Sequence, residues 1–373
     1  MKIGIITLHR ARNYGSVLQT LALQEKIKDK GVDVEILDYY PDRYHNVGLL
    51  KRLKGKSKRF EKNFVALFAC RCIIFISYIK KMVVFDDFLK RNLKLTSKSY
   101  RTYEEFEKDV PKADIYCTGS DQVWNSYWNE GIDYSLFLKF VPKDKFKFSY
   151  AASFGKSELE DDEKEETKEL LEAYDYISVR ENAGVKILED LGFKNCPQVL
   201  DPTLLLVDNE WNKYVDDKYK NKKYILTYNL HHDKKIDVYA KELSKKYNLP
   251  VYNISYNWHD IYRSGHLVWC PTVENYLGLI KYAQYVVTDS FHATVFSIIF
   301  RKQFISIYPE LASSRISSLL ELVNLQERGI SSFDNVNLAD KGIDYDKVHN
   351  LLSIERGKSD KYINDVLNSY KER

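Results

Sequence analysis

The chain has 373 residues, more than one hydrophobic core usually organises, so two domains are expected. Its 57 Lys and Arg residues against 53 Asp and Glu leave a net charge of +4, and this near balance argues against a dedicated nucleic-acid-binding protein. Five scattered cysteines without a CxxC pair fit neither a disulfide framework nor a zinc site. Together with an amino terminus that reads as a buried strand rather than a signal peptide, these features predict a cytoplasmic protein.

Strand-like and helix-like segments alternate along the chain, which predicts α/β layers with largely parallel sheets. The first series contains predicted strands at 2–7, 32–37, 113–117, 146–151 and 176–178, and predicted helices at 16–30, 161–174 and 182–191. The second series contains predicted strands at 224–229, 251–254, 285–288 and 303–307, and predicted helices at 234–247, 273–283 and 293–300. We therefore predict two Rossmann-like domains, residues 1–207 and 208–373, that face each other across a cleft. We expect the last helix of the chain to pack against the first domain.

Residues 51–80 interrupt the first series with a basic run followed by an apolar one. Residues 51–62 are rich in Lys and Arg, whereas residues 64–79 are almost wholly apolar except for Arg71. This apolar run is too short and too charged to span a bilayer, but a basic segment before an aromatic-rich apolar helix suits a membrane surface. A core helix with a solvated basic flank is the alternative, and the sequence leaves both open.

The segment from Tyr285 to His292 (YVVTDSFH) reads as a buried strand that ends in a short turn and continues into a helix. Asp289, Ser290 and His292 therefore lie where open α/β sheets bind ligands and where free N–H groups at a helix start favour anions. A histidine in that position can exchange protons near neutral pH. The alternative is that Ser290 is only a helix cap and His292 only a first-turn residue.

The loop after the first strand, residues 9–15 (HRARNYG), is a second candidate for anion binding. Asn13 and Gly15 lie at the predicted start of a helix, with Arg10 and Arg12 close by in sequence. The loop lacks a GxGxxG pattern, which argues against a dinucleotide site. A plain turn with an asparagine cap would also explain it.

The loop at residues 118–125 (TGSDQVWN) concentrates polar and aromatic side chains after a strand. Asp121 is a candidate for orienting or deprotonating a sugar hydroxyl, and Gln122 and Asn125 are candidates for hydrogen bonds to one. Trp124 offers a flat face for a sugar ring. A hydrogen-bonded turn held by a buried tryptophan is the alternative.

Two further arginines lie at predicted helix starts. Arg180 either pairs with its neighbour Glu181 or faces a phosphate or carboxylate, and Arg315 is either an anion ligand or a solvated surface charge. The sequence contains no HExxH, GxSxG or Walker pattern. The histidine, the acidic residues and the arginines of these loops together suit a reaction between an anionic donor and a hydroxyl acceptor that needs no metal.

Six short segments, in this order along the chain, resemble the polysaccharide pyruvyl transferase family. They are NYG (13–15), GSDQVWN (119–125), YAASFG (150–155), SVREN (178–182), VLDPTLLL (199–206) and TDSFHATVFSI (288–298). The resemblance implies a fold similar to glycosyltransferase B, phosphoenolpyruvate as donor substrate with no cofactor, and a saccharide acceptor. The product would be a pyruvate ketal across two hydroxyls of a bacterial capsule, exopolysaccharide or cell-wall glycan, often made on a lipid-linked precursor at the inner membrane face.

The resemblance also implies roles for individual residues. Arg180 matches a donor-binding arginine of the family and His292 its functional histidine, whereas Ser290 replaces an arginine that family members often carry. The resulting hypothesis has His292 and Asp121 as catalytic residues. Its binding residues are Arg180, Ser290, Arg315, Asn13 and Gly15 for the donor, and Gln122, Trp124 and Asn125 for the acceptor. A nucleotide-sugar glycosyltransferase and a non-catalytic glycan-binding family member are the alternatives.

Overall fold

Two parallel β-sheets organise the protein in a computed structural model, which describes residues 1–45, 64–263, 265–309, 314–332 and 336–373. The first sheet has the order β3-β2-β1-β4-β5 and the second the order β11-β10-β9-β6-β7-β8. The strands of the first sheet are β1 Lys2–Ile6, β2 Asp33–Tyr39, β3 Leu95–Tyr100, β4 Ile115–Thr118 and β5 Phe146–Ser149. Those of the second are β6 Ile225–Tyr228, β7 Val251–Ser255, β8 His266–Trp269, β9 Tyr285–Thr288, β10 Gln303–Ile307 and β11 Gly329–Ile330. The α/β prediction with two parallel sheets is confirmed.

Helices connect the strands and cover the sheets. Those from the first part of the chain are α1 Tyr14–Lys28, α2 Phe64–Asn92, α3 Tyr103–Lys108, α4 Ser126–Asn129, α5 Asp161–Leu171, α6 Asn182–Asp190, α7 Pro202–Leu205 and α8 Asp208–Trp211. Those from the second part are α9 Lys234–Tyr247, α10 Val273–Tyr282, α11 Phe291–Ile299, α12 Ser314–Leu322 and α13 Tyr345–Glu372. Short 3₁₀ helices include His9–Ala11 and Trp258–Tyr262.

Central strands are buried on both faces, which is why they read as continuous apolar runs. All four residues of β4 and of β6 are buried, as expected for parallel strands covered by helices on each side. The edge strands β3, β8 and β11 escaped prediction because they lack this signal: β3 is largely exposed and polar, no residue of β8 is buried, and β11 has only two residues. The strand predicted at 176–178 makes only a single bridge, between Tyr176 and Phe148.

The start of α1 connects the two domains. The Tyr14 ring stacks on Tyr276 of α10, with 4.2 Å between ring centroids, and its hydroxyl donates to the carbonyl of Pro271 at 2.6 Å. Tyr14 and Tyr276 belong to one buried hydrophobic cluster that also contains residues of α11. The loop that precedes α1 is therefore held against the second domain.

The last helix, α13, contacts the first sheet. The Tyr362 hydroxyl donates to the carbonyl of Ser149 at 2.8 Å, and the Ser359 hydroxyl accepts from the Leu200 N–H at 3.0 Å. The exact domain boundary at 207/208 stays a prediction, since the first sheet ends at Ser149 and the second begins at Ile225.

The basic run at 51–62 lies outside the described residues, whereas the apolar run forms the first part of α2. This helix is longer than predicted and continues to Asn92. Its carboxyl-terminal half buries Phe85, Phe88 and Leu89 completely. Of the helices that the structure describes, none combines the length and apolar character needed to cross a bilayer.

Candidate active site between the two domains

His292 lies on the first turn of α11, directly after β9, as the sequence predicts. Ser290 caps this helix: its hydroxyl accepts from the Ala293 N–H at 3.4 Å. The His292 side chain is 9% exposed, and its Nε2 lies 3.6 Å from Oδ2 of Asp201, too far for a hydrogen bond. The imidazole is therefore held near a carboxylate with one nitrogen atom left unbonded.

Gly15 of the first domain lies directly against this imidazole. A Cβ atom built on Gly15 would fall 1.9 Å from Nδ1 of His292, so no side chain fits there. The N–H of Gly15 does not face an open anion site, because the side chain of Asn13 accepts it at 2.9 Å as the cap of α1. Asn13 and Gly15 thus shape the contact between the domains and place a glycine opposite His292.

Asp201 is the central acid of the site, and sequence reasoning missed it. Its Oδ1 accepts from the N–H and the hydroxyl of Thr203 at 3.0 and 2.6 Å, which is the usual cap of a helix with proline at its first position. Its Oδ2 accepts from Arg180 Nη1 at 2.8 Å and from the Ser120 hydroxyl at 3.3 Å. Burial by itself would raise the pKa of Asp201, but His292, Arg180 and the Thr203 hydroxyl hold that pKa well below its usual range. The Asp-Pro pair in the sequence signals a helix start, and only the fold brings this cap to His292.

Arg180 is surrounded by carboxylates. Besides Asp201, its Nη2 lies 3.7 Å from Oδ1 of Asp121 and its Nε lies 3.6 Å from Oε2 of Glu181. Burial would lower the pKa of Arg180, but the three carboxylates raise it, so the guanidinium stays charged. Glu181 is in turn fixed by the Ser153 hydroxyl, which donates to its Oε1 at 2.6 Å. The predicted pairing of Arg180 with Glu181 is thus one part of a larger buried network.

Asp121, another carboxylate neighbour of Arg180, has a strained backbone conformation. Its φ of 79° is in the left-handed region, which is rare for a residue other than glycine. Its Oδ2 accepts from the Ser16 hydroxyl at 2.6 Å and its Oδ1 from the Gln122 N–H at 2.9 Å. Burial would raise the pKa of Asp121, but Arg180, His292 and Ser16 lower it, so this acid stays ionised.

Arg315 and Arg180 lie on the same aromatic ring. The Cζ atoms of Arg180 and Arg315 are 4.9 and 6.0 Å from the centroid of Phe291. Burial, and then the charge of Arg180, lower the pKa of Arg315. These side chains, with Asp201 and Glu181, line a small cavity of about 40 Å³.

A family model described as polysaccharide pyruvyl transferase matches residues 13–310, which include every residue of this site except Arg315. The chain belongs to the polysaccharide pyruvyl transferase family. No curated protein matches it in sequence.

Two solved structures resemble this pyruvyl transferase family member along nearly the whole chain. The S. aureus MnaA–UDP co-structure gives a TM-score of 0.55 at 12% identity, with 100% of this chain and 97% of that chain covered. A UDP-N-acetylglucosamine 2-epimerase from Rickettsia bellii gives a TM-score of 0.55 at 11% identity, with 99% and 96% covered. At such identities the likeness shows the fold alone, which is of the glycosyltransferase B type.

The loop at 118–125 does not present Trp124 to a ligand. This ring is 3% exposed and packs against Phe137, Phe154 and Tyr174 in the core of the first domain. The expectation that it stacks on a sugar does not fit this position, because its neighbours already cover the ring. The alternative of a turn held by a buried tryptophan describes it better.

Gln122 and Asn125 lie together beside Gly155. The Asn125 amide donates to Oε1 of Gln122 at 2.7 Å, and its own oxygen caps α4 by accepting from Tyr127 and Trp128 N–H groups at 3.1 and 3.3 Å. A Cβ on Gly155 would fall 2.2 Å from the Gln122 oxygen. The pair is therefore fixed in orientation, and its contact with an acceptor stays a prediction.

Arg10 and Arg12 are not available to an anion in the cleft. Arg10 forms two hydrogen bonds to Asp38, at 2.6 and 2.7 Å, and Arg12 lies 3.5 Å from Asp86 of α2. Arg12 also donates to the hydroxyl of Tyr40. Anion binding by these two arginines, which the sequence of the loop suggested, is not supported, since the carboxylates of Asp38 and Asp86 already balance their charges.

A second imidazole at the same sheet edge was not anticipated. His231 follows β6, the neighbour of β9, and its Nδ1 lies 2.9 Å from Oδ2 of Asp289. The Asp289 carboxylate also accepts the N–H groups of Leu230 and His231 at 2.7 and 2.9 Å. Because a carboxylate only accepts, Nδ1 is the donor in this pair, and Nε2 is the other ring nitrogen of a side chain that is 44% exposed. Nothing around His231 in the sequence signals this pairing.

Proposed function

We propose that the protein transfers the pyruvyl group of phosphoenolpyruvate to two hydroxyls of a saccharide and forms a pyruvate ketal. One hydroxyl oxygen bonds to C2 of the enol while C3 takes up a proton and becomes a methyl group. The C2–O bond to phosphate then breaks, and the second hydroxyl oxygen bonds to C2. The two hydroxyl protons balance the proton gained by C3 and the one gained by the released phosphate.

The observation that carries this proposal is a group of unpaired nitrogen atoms in one place. Nε2 of His292, Nε and Nη2 of Arg180 and Nε of Arg315 are buried and have no hydrogen-bond partner among the described residues. Buried polar atoms are normally paired, and these atoms all lie around Phe291 and Asp201. The two Arg180 nitrogen atoms have carboxylate oxygens at 3.6 and 3.7 Å, and Oε2 of Glu181 is itself without a hydrogen-bond partner, so Nε of Arg315 is the donor that most clearly lacks an acceptor. Such a donor fits a site for an anion with several oxygen atoms, such as a phosphorylated carboxylate.

Arg315 is the better placed of the two arginines for the donor. Arg180 already faces Asp201, Asp121 and Glu181, so an anion there competes with three carboxylates. Arg315 has no such close partner among the ion pairs of the described residues, and its lowered pKa reflects a charge that burial makes costly. An anionic ligand would relieve that cost. Arg315 is therefore proposed as the main ligand of the phosphate group, and Arg180 and the Ser290 hydroxyl as additional ligands.

His292 is proposed as the general acid that protonates C3 of phosphoenolpyruvate. Its Nε2 is buried without a hydrogen-bond partner among the described residues, and the negative charge of Asp201 lies 3.6 Å from it. Asp121 is proposed to orient the acceptor rather than to deprotonate it, because both of its oxygen atoms are bonded and its pKa is lowered.

The proton acceptor for a sugar hydroxyl is proposed to be His231. Asp289 orients its ring through Nδ1 and leaves Nε2 out of this hydrogen bond, at the edge of the sheet that also carries His292. A carboxylate that orients an imidazole in this way is a common arrangement for general bases. Gln122 and Asn125 remain candidates for acceptor binding, with a lipid-linked saccharide at the inner membrane face as the proposed acceptor.

Two measurements test the proposal. Mass spectrometry of candidate lipid-linked glycans after incubation with phosphoenolpyruvate should detect added pyruvate together with released phosphate. Phosphoenolpyruvate should also raise the melting temperature of the protein, because a ligand that binds only the folded state stabilises it. Stabilisation by a nucleotide sugar and none by phosphoenolpyruvate would instead favour a glycosyltransferase.

A further inference from the structure

Helix α2 carries an apolar stripe on its solvent-facing side. The exposed side chains are Val65 (76% exposed), Phe68 (63%), Phe75 (49%), Ile76 (54%) and Val83 (58%). Their spacing places all of them on one face of the helix. The opposite face is the packed one and includes Ile74, Ser77 and Phe85, which are buried.

This stripe is unusual for a protein surface. A helix on a globular protein normally turns its apolar side to the core and its polar side to water. Here apolar side chains occupy both sides over about five turns of helix. A contiguous exposed apolar surface of this kind marks an interaction site.

The second domain extends the same surface. The 3₁₀ helix Trp258–Tyr262 packs beside α2, where the Trp258 N–H donates to the Ser77 hydroxyl at 3.2 Å. It exposes Trp258 (44%), Ile261 (51%) and Tyr262 (91%). Tryptophan and tyrosine are the residues that favour the interface between lipid and water.

The charges around the surface indicate its partner. The sequence has no acidic residue from position 62 to 85. Within that stretch Arg71 is exposed, whereas the ammonium groups of Lys80 and Lys81 lie over the rings of Trp269 and Tyr256, 4.0 and 4.1 Å from the ring centroids. Residues 51–62, which precede α2, add the cations Lys51, Arg52, Lys54, Lys56, Lys58, Arg59 and Lys62 against the single acid Glu61. Apolar and aromatic side chains flanked by cations fit an anionic lipid surface better than a second copy of this chain, whose surface would bring the same positive charge.

We propose that the exposed face of α2 and the 3₁₀ helix Trp258–Tyr262 together dock on an anionic lipid bilayer. This membrane-docking surface deepens the proposed action on a lipid-linked acceptor, but it does not depend on the chemistry of pyruvyl transfer. Because it includes residues of both domains, docking would fix both domains relative to the membrane. The proposed acceptor would then approach from the lipid side.

Vesicle sedimentation of the full chain tests this assignment without any substrate. The protein should bind vesicles of phosphatidylcholine with phosphatidylglycerol and bind pure phosphatidylcholine much more weakly, and salt should weaken binding. The variants Phe68→Glu with Phe75→Glu, and Ile261→Glu with Tyr262→Glu, should each reduce vesicle binding by about tenfold or more, from the apolar area they withdraw. The matched controls are Val238→Glu and Ile354→Glu, which change side chains that are 47% and 59% exposed on α9 and α13.

Three results would overturn the proposal. One is the absence of vesicle binding by the wild-type chain. Another is an equal loss of binding in the controls. The third is a dimer in sedimentation velocity that the α2 variants abolish, since a second copy would then cover the surface. Unchanged melting temperatures establish that the variants are folded, and a failure of pyruvyl transfer would leave the vesicle result unaffected.

Discussion

The imidazole of His292 lies against the Cα atom of Gly15, so close that a methyl group on Gly15 would fall 1.9 Å from Nδ1. Gly15 lies on the first turn of α1 in the first domain, and His292 lies on the first turn of α11 in the second. The contact fixes one side of the imidazole and leaves Nε2 directed at Asp201, 3.6 Å away. A glycine at the start of α1 is thus a requirement of the site and not only of a turn.

Gly15→Ala tests this contact directly. The added methyl group must displace His292 or α1, and we expect a loss of stability of about 1–3 kcal/mol from overpacking. Acceptor-dependent phosphate release should fall about 100-fold, because a shift of about 1 Å is enough to misplace a catalytic group.

Gly357→Ala is the matched control for that variant. Gly357 lies inside α13 with open space where its Cβ would be. This change should leave activity unchanged and raise the free energy of unfolding by about 0.5–1 kcal/mol, since alanine favours the helix. Normal activity in Gly15→Ala would mean that the imidazole position does not matter.

His292→Gln should remove proton donation to C3 while keeping a polar side chain of similar length. We expect phosphate release from phosphoenolpyruvate to fall by about 100-fold to 10,000-fold. Thermal stabilisation by phosphoenolpyruvate should persist, because Arg315 and Arg180 remain. Near-normal turnover in this variant would exclude His292 as the general acid.

Asp201→Asn should make the protein less stable near neutral pH. The variant leaves Arg180 and His292 without their closest carboxylate, and breaking a buried ion pair costs about 3–5 kcal/mol. The folded-state pKa of Asp201 is lowered, so its contribution to stability is present above the unfolded pKa of about 4 and is lost as the pH falls through the folded value.

The pH dependence of unfolding separates this charge effect from a packing defect. Urea unfolding should show that the stability difference between wild type and Asp201→Asn is constant near neutral pH and shrinks below about pH 4. A difference that stays the same down to the lowest accessible pH would contradict the assignment.

His231→Asn should lower the turnover number by about 100-fold with little change in the KM for phosphoenolpyruvate, because a general base acts on the acceptor. Added imidazole should restore part of the rate. The adjacent His232→Asn is the matched control, since His232 is exposed and its left-handed backbone suits asparagine. Equal losses in both variants would show that His231 has no special role.

Local sequence patterns were enough to locate most elements and one half of the site. The apolar run of β9 followed by a serine cap predicts where His292 lies, because strand burial and helix capping depend on residues close in sequence. The partners of His292 could not be predicted in this way. Asp201 reads only as a helix cap, and Trp124 carries no sign that three aromatic rings cover it.

The amino-acid sequence by itself determined the alternating α/β pattern, the family to which the chain belongs and the strand-to-helix turn that carries His292. Only the tertiary structure decided that Gly15 faces this histidine, that Arg10 and Arg12 are paired with Asp38 and Asp86, and that Arg315 shares the ring of Phe291 with Arg180. The physical reason is the range of the interactions. Strand and helix formation follow from neighbours along the chain, whereas charge compensation and close packing depend on residues that meet only when two separate sheets are brought together.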